Sequence, residues 1–257
     1  MTFSKTAAAL SALLLLGGNA AAAELTATVS NLQIQLFDLT PMDGVAPSYT
    51  LVGSQQGWAT TYTASGLADE QFGLMTQAAL SGAGLSTLAS VAGTAGSPGS
   101  FSLTAHLDSA LPSPYGDAGA LAQLSFSILV APGTLVLLSA DTSVAIDGAD
   151  AVADTDLVSQ ANLRFLQVAD GVTVGSVGTR QAFATFGSGN LTPSSAGILS
   201  ASFANFSSDA IRLQTRVTVS TGLSTPLAPV PEPSMLALLA AGGAVVFGVS
   251  RRRNKAA

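Results

Sequence analysis

The chain has 257 residues, a formal net charge of −6 and a mean hydropathy of +0.49, with no cysteine and a single histidine. These values exclude disulfide scaffolds and thiolate metal centres, and 48% hydrophobic against 9% charged residues excludes a disordered polar chain. Five of the nine basic residues stand near the ends, and the stretch 24–230 sets four arginines and no lysine against fourteen carboxylates, the wrong sign for gripping nucleic-acid phosphates.

At the start, Lys5 supplies positive charge, Thr6 to Gly18 supplies an apolar run centred on Leu13 to Leu16, and small residues follow. This pattern predicts a secretory signal peptide over residues 1–23, cleaved at the A-x-A site of Ala21 and Ala23, before Glu24. The apolar core is too short for a comfortable membrane span.

Residues 24–225 make the body. Serine and threonine are about a quarter of it, and its apolar residues fall in short runs between turn formers, as in sandwiches and barrels. Leu25 to Leu39 and Tyr49 to Thr63 read as the first strands. Trp58 and Tyr62 fall on one face of the second, a candidate platform for stacking a sugar ring, although core packing is the commoner fate of a lone tryptophan. Asp69 to Ser90 reads as a short helix with Phe72, Met75 and Ala79 on one face, or as a long loop, because Gly82 and Gly84 interrupt it. Ser81 to Ser100 is rich in small residues and reads as a flexible connection.

Strict alternation then marks Phe101 to Leu107 and Leu124 to Ile128, the latter before an Ala131-Pro132-Gly133 turn. His106 shares a face with Ser102, Thr104 and Asp108, but neighbours two apart on a strand point in parallel, whereas a catalytic triad needs its groups in series. It reads as a solvent-facing strand residue. Thr134 to Ser143, Leu163 to Val168, Gly171 to Val177 and Ile198 to Phe206 are further strands. Asp147, Asp150, Asp154 and Asp156 form an acidic turn of hard oxygen ligands for which calcium is the candidate ion; the spacing matches no EF-hand or RTX repeat, so a solvated turn without metal or cofactor is expected. The sequons at Asn190 and Asn205 read as coincidence. The clearest strand, Ile211 to Val219, turns Ile211, Leu213, Val217 and Val219 inward and Arg212 and Arg216 outward, toward solvent or a partner. Eight or nine strands in about 200 residues predict a mainly β body, a two-sheet antiparallel β-sandwich of jelly-roll-like kind.

Residues 226–257 carry a second address. Pro226, Pro229, Pro231 and Pro233 keep the chain extended and accessible. Ser234 to Ser250 is uncharged, and at about 1.5 Å per residue it reaches about 25 Å, the short limit of a transmembrane helix. Arg251, Arg252, Arg253 and Lys255 follow, and positive charge stays on the cytoplasmic side, which puts the body outside the inner membrane.

The order Val230-Pro231-Glu232-Pro233-Ser234, apolar helix and arginine cluster resembles the PEP-CTERM sorting signal of bacterial exported proteins. The resemblance implies recognition by an exosortase, an integral-membrane cysteine transpeptidase that removes the C-terminal helix, in a diderm bacterium that makes exopolysaccharide. With no nucleophile elbow, phosphate loop or metalloprotease helix in the chain, the expected product is a non-enzymatic structural or adhesive protein of the cell surface or matrix. Its expected partners are the exosortase, the inner membrane before processing, and exopolysaccharide or copies of itself. The alternative is a periplasmic ligand-binding module or hydrolase anchored permanently by residues 234–250.

Overall fold

Alternating apolar and small polar residues, with glycine at the turns, fold into strands along the described chain. The computed structural model describes residues 21–66, 68–82, 84–111, 116–147, 155–167, 172–185, 190–192 and 194–224, all in the first of the two units into which the chain divides between Thr225 and Pro226. Outside the described residues lie the charged and apolar parts of the expected signal peptide, Val230 to Ser234, the expected helix over 234–250, the cations Arg251, Arg252, Arg253 and Lys255, and Asp150 and Asp154.

The strands are β1 (Ala21–Asp38), β2 (Tyr49–Thr63), β3 (Ala68–Phe72), β4 (Thr76–Gly82), β5 (Leu85–Thr94), β6 (Ser97–Leu111), β7 (Ala118–Val130), β8 (Thr134–Asp147), β9 (Asp156–Gln167), β10 (Thr173–Thr185), β11 (Asn190–Thr192), β12 (Ser194–Asn205) and β13 (Ile211–Ser224). They pair antiparallel into one sheet ordered β12-β8-β1-β6-β5-β4 and another ordered β11-β10-β9-β13-β7-β2-β3. Among the described residues there is no helix, and hence none long and apolar enough to cross a membrane.

The inner faces share one apolar cluster. Leu25, Leu103, Leu107 and Leu138 of the first sheet meet Leu124, Phe126, Leu163, Phe165 and Val217 of the second, all essentially removed from solvent. Burying each such side chain contributes about 1.5–3 kcal/mol, and one core between two sheets is a β-sandwich.

Two expectations are corrected. Asp69 to Ser90 is neither helix nor loop but holds β3, β4 and most of β5, and Ser81 to Ser100 is no flexible connection, because it contains the whole of β5 and the start of β6, which pair with each other. The period there is two: Leu85, Thr87, Ala89 and Val91 are buried while Ser86, Leu88 and Ser90 point out. Small residues hide that alternation, and Gly84 and Gly96, at φ of 73° and 79°, turn the chain between strands. The strand count exceeds the expected eight or nine through β3, β4 and β5, and through the three-residue β11.

Both lateral edges of the sandwich are tied by side chains rather than left as open templates for association. On one side the Arg180 guanidinium of β10 donates to the Ser195 hydroxyl at 2.8 Å and to the carbonyls of Ala196 and Ile198 at 3.0 and 3.2 Å, all on β12. On the other, the Ala79 N–H of β4 donates to Asp69 Oδ2 of β3 at 3.0 Å.

Candidate functional site

The outward face of the larger sheet opens at a bulge. Register between β2 and β7 shifts between Val52 and Gln56, with Gly53 at φ 79°, and this re-aims the side chains around it. Two adjoining hollows result, of about 380 and 250 Å³, which share Gln56 and Ser125. Together they form a groove with aromatic rings at one end and a guanidinium, that of Arg212, at the other.

At the aromatic end Trp58 and Phe72 are direct cross-strand partners in the β2–β3 hairpin, with ring centroids 6.5 Å apart and planes inclined by 15°. Phe72 is 72% exposed, so its ring is open to solvent. The Trp58 indole N–H donates to Glu70 Oε1 at 2.8 Å, which fixes the ring plane. Beneath the pair, the Gly73 N–H donates to the Gly57 carbonyl at 2.9 Å, an approach so close that any side chain at Gly57 would collide with Gly73. Gln56, Gln123 and Ser125 complete the wall with residues that carry donors and acceptors, while Gln55 accepts from the Gly96 N–H at 2.8 Å.

Tyr62 lies outward on the same strand, as expected, but does not join Trp58. Its ring rests over Gly119, and burial, with Asp117 nearby, raises its phenol above the ordinary value. The aromatic partner of Trp58 is therefore Phe72, from the segment expected as a short helix or a long loop. A short run ending in phenylalanine, directly after a glycine-containing turn, was the available signal.

Next to the groove stands an unusual charge arrangement. Arg216 of β13 is the direct partner of Arg164 of β9 and, on its other side, of Ser125. Burial, then the like charge of Arg164, lowers the Arg216 guanidinium below its usual value. Among the described residues no carboxylate lies within ion-pair distance of Arg164, Arg212 or Arg216. Arg212 and Arg216 face outward as the alternation of their strand required, and Leu213, Val217 and Val219 are buried opposite them.

Other expected sites are placed as follows. His106 is half-buried on the outward face of β6, with Nδ1 3.8 Å from Glu24 Oε1. Ser102, Thr104 and Asp108 alternate on the same face and do not converge on it. Of the four candidate calcium ligands, Asp147 ends β8 and Asp156 begins β9; among the described residues no three acidic or histidine side chains are grouped for a metal. Ala21 and Ala23 stand inside β1, opposite Leu111 and Ser109, and Ala23 is buried, so cleavage before Glu24 would take the first three residues off that strand. Asn205 is buried too: its amide nitrogen donates to the carbonyls of Val130 and Asp209 at 3.0 and 2.9 Å, and its oxygen accepts from the Ser207 N–H at 3.0 Å. That sequon is a structural pin with no free amide hydrogen.

No curated protein and no solved structure matches the chain. Residues 229–253 do match a family model, that of the PEP-CTERM protein-sorting motif. The chain is accordingly a PEP-CTERM motif-bearing protein, and the motif implies export and targeting to an exosortase.

Proposed function

We propose that the exported body is a non-enzymatic adhesive or structural protein of the cell surface or exopolysaccharide matrix, and that it holds polysaccharide in the groove at Trp58 and Phe72. The observation that carries this reading is the near-parallel, solvent-facing pair of rings beside glutamine amides and a serine hydroxyl. Apolar faces of sugar rings pack on aromatic planes, and sugar hydroxyls need both donors and acceptors, which amides supply. An open groove rather than a closed cavity suits a chain that continues past the site.

The exosortase is the processing partner on this reading. It meets the extended proline-rich segment around Pro231, Glu232 and Pro233 while residues 234–250 still hold the protein to the inner membrane, and removal of that segment frees the body for the surface.

Titration of purified host exopolysaccharide against Trp58 fluorescence tests the binding role. A saturable change that is lost in Trp58→Ala and weakened in Phe72→Ala supports it, and no response in the native protein overturns it. Mass spectrometry of the mature C-terminus tests the sorting role: matrix protein ending near Val230 to Ser234 supports release, whereas Arg251 to Arg253 retained in every fraction means a permanent anchor.

A further inference from the structure

The four arginines of the stretch 24–230 are not scattered. Arg164, Arg212 and Arg216 occupy outward positions on β9 and β13 of one sheet, while Arg180 is spent on tying β10 to β12. Fourteen carboxylates share the same stretch, so acid is not scarce. Yet Arg164 and Arg216 stand directly opposite each other, a like-charge pairing that destabilises a sheet, with no carboxylate between them among the described residues. The Nε atoms of both are buried without a hydrogen-bond partner, as is that of Arg180, so the like-charge pairing and not this feature sets Arg164 and Arg216 apart. Two adjacent guanidiniums with no counter-charge among the described residues, in a body of the opposite sign, make a place prepared for an external anion.

That place is continuous with the groove. Along one row of the sheet Gln56, Ser125, Arg216 and Arg164 follow one another on β2, β7, β13 and β9. Neighbouring strands are about 4.8 Å apart, so Arg216 lies about 10 Å from the β2 row that carries the aromatic platform, and Arg164 one strand further. Arg212 lines the second hollow, where its guanidinium comes alongside Gly53 at the bulge. One chain lying on this face would meet rings, amides and then three fork-shaped cation groups that match oxyanions bidentately.

We infer that the polysaccharide taken by this groove is anionic, with its acidic groups on Arg164, Arg216 and Arg212 and an adjoining sugar ring on Trp58 and Phe72. This inference rests on the carbohydrate reading above and names its ligand class. The acidic group is an oxyanion, either carboxylate or sulfate. Because the body as a whole is acidic, such a polymer is repelled at long range and held only where the arginines are local. Affinity therefore depends on those side chains and on salt, not on net charge.

The full mature protein is titrated with polygalacturonate, dextran sulfate, neutral dextran and single-stranded DNA, at low and physiological salt. Polygalacturonate or dextran sulfate is expected to bind about tenfold or more tightly than neutral dextran, and which of the two does so identifies the oxyanion. The Arg164→Gln/Arg216→Gln variant is expected to lose that preference, and Trp58→Ala to weaken all saccharide binding. Arg212→Gln, at an exposed site, gives the same reading if the double variant fails to match the native melting temperature. Equal binding of neutral and acidic polymers, untouched by the arginine substitutions but abolished by Trp58→Ala, overturns the inference and leaves the carbohydrate reading standing. Binding of acidic polymers that ignores Trp58 removes the carbohydrate reading instead. Preference for DNA, or a self-association dispersed by the arginine variants, gives the face another occupant and overturns the inference.

Discussion

The indole N–H of Trp58 donates a 2.8 Å hydrogen bond to Glu70 on the adjacent strand, and the ring it orients lies within 15° of parallel to Phe72. Glu70 is solvent-exposed, so its removal costs the fold under about 1 kcal/mol. Glu70→Ala is expected to leave the melting temperature nearly unchanged, to broaden the tryptophan's accessibility to acrylamide, and to weaken polysaccharide binding several-fold. Unchanged quenching and affinity would show that the sheet alone sets the ring plane.

Asn205 joins the end of β12 to the end of β7 through Val130 and to the turn before β13 through Asp209 and Ser207. Asn205→Ala leaves the buried Val130 carbonyl without this donor and strips the exposed turn of the acceptor used by the Ser207 N–H and hydroxyl, and a loss of about 2 kcal/mol is expected in urea unfolding. Peptide mapping of the native protein is expected to find Asn205 unmodified. A glycan there, or a loss below about 0.5 kcal/mol, would contradict the pin.

Gly57 has no space for a side chain, since a Cβ would stand 2.0 Å from the Gly73 carbonyl oxygen and 3.0 Å from Val91 Cγ1. Gly57→Ala is expected to cost about 2 kcal/mol by overpacking and to displace Phe72 from Trp58. Thermal unfolding and a tryptophan emission shift report the two effects, and a wild-type midpoint would mean that β3 slides without strain.

Asp69 accepts from the Ala79 N–H and from the Gln71 side chain, which hold its carboxyl below the usual value. A folded-state value below the unfolded one gives a contribution that is complete above the unfolded value of about 3.9 and is lost as pH falls through the folded one. The melting difference between native protein and Asp69→Asn is therefore expected to be constant from neutral pH to about pH 5 and to vanish in stronger acid. A gap that persists at low pH would mean that the link does not need the charge.

Much of the fold was legible. β2 has the bounds that alternation assigns it, and β1, β6, β7, β8, β9, β12 and β13 enclose or nearly match their expected segments. β3, β4 and β5 were not, because alanine, serine and glycine carry too little hydropathy contrast for period two to show between Asp69 and Ser90. At the site, Trp58 was singled out from its residue type, but its partners Phe72 and Glu70 lie inside the segment expected as a helix or loop, which is strand.

By itself the sequence determined which residues of a strand face outward, since that follows from a local period of two, and it determined the terminal sorting motif, since contiguous residues carry it. Only the tertiary structure decided which outward residues become neighbours. Arg164 and Arg216 are 52 positions apart and meet because β9 and β13 are neighbours, and Gln56 and Ser125 are 69 apart and meet in the register that the bulge in β2 sets against β7. Pairing register is a non-local choice, made by the whole core when it closes, and no local periodicity encodes it.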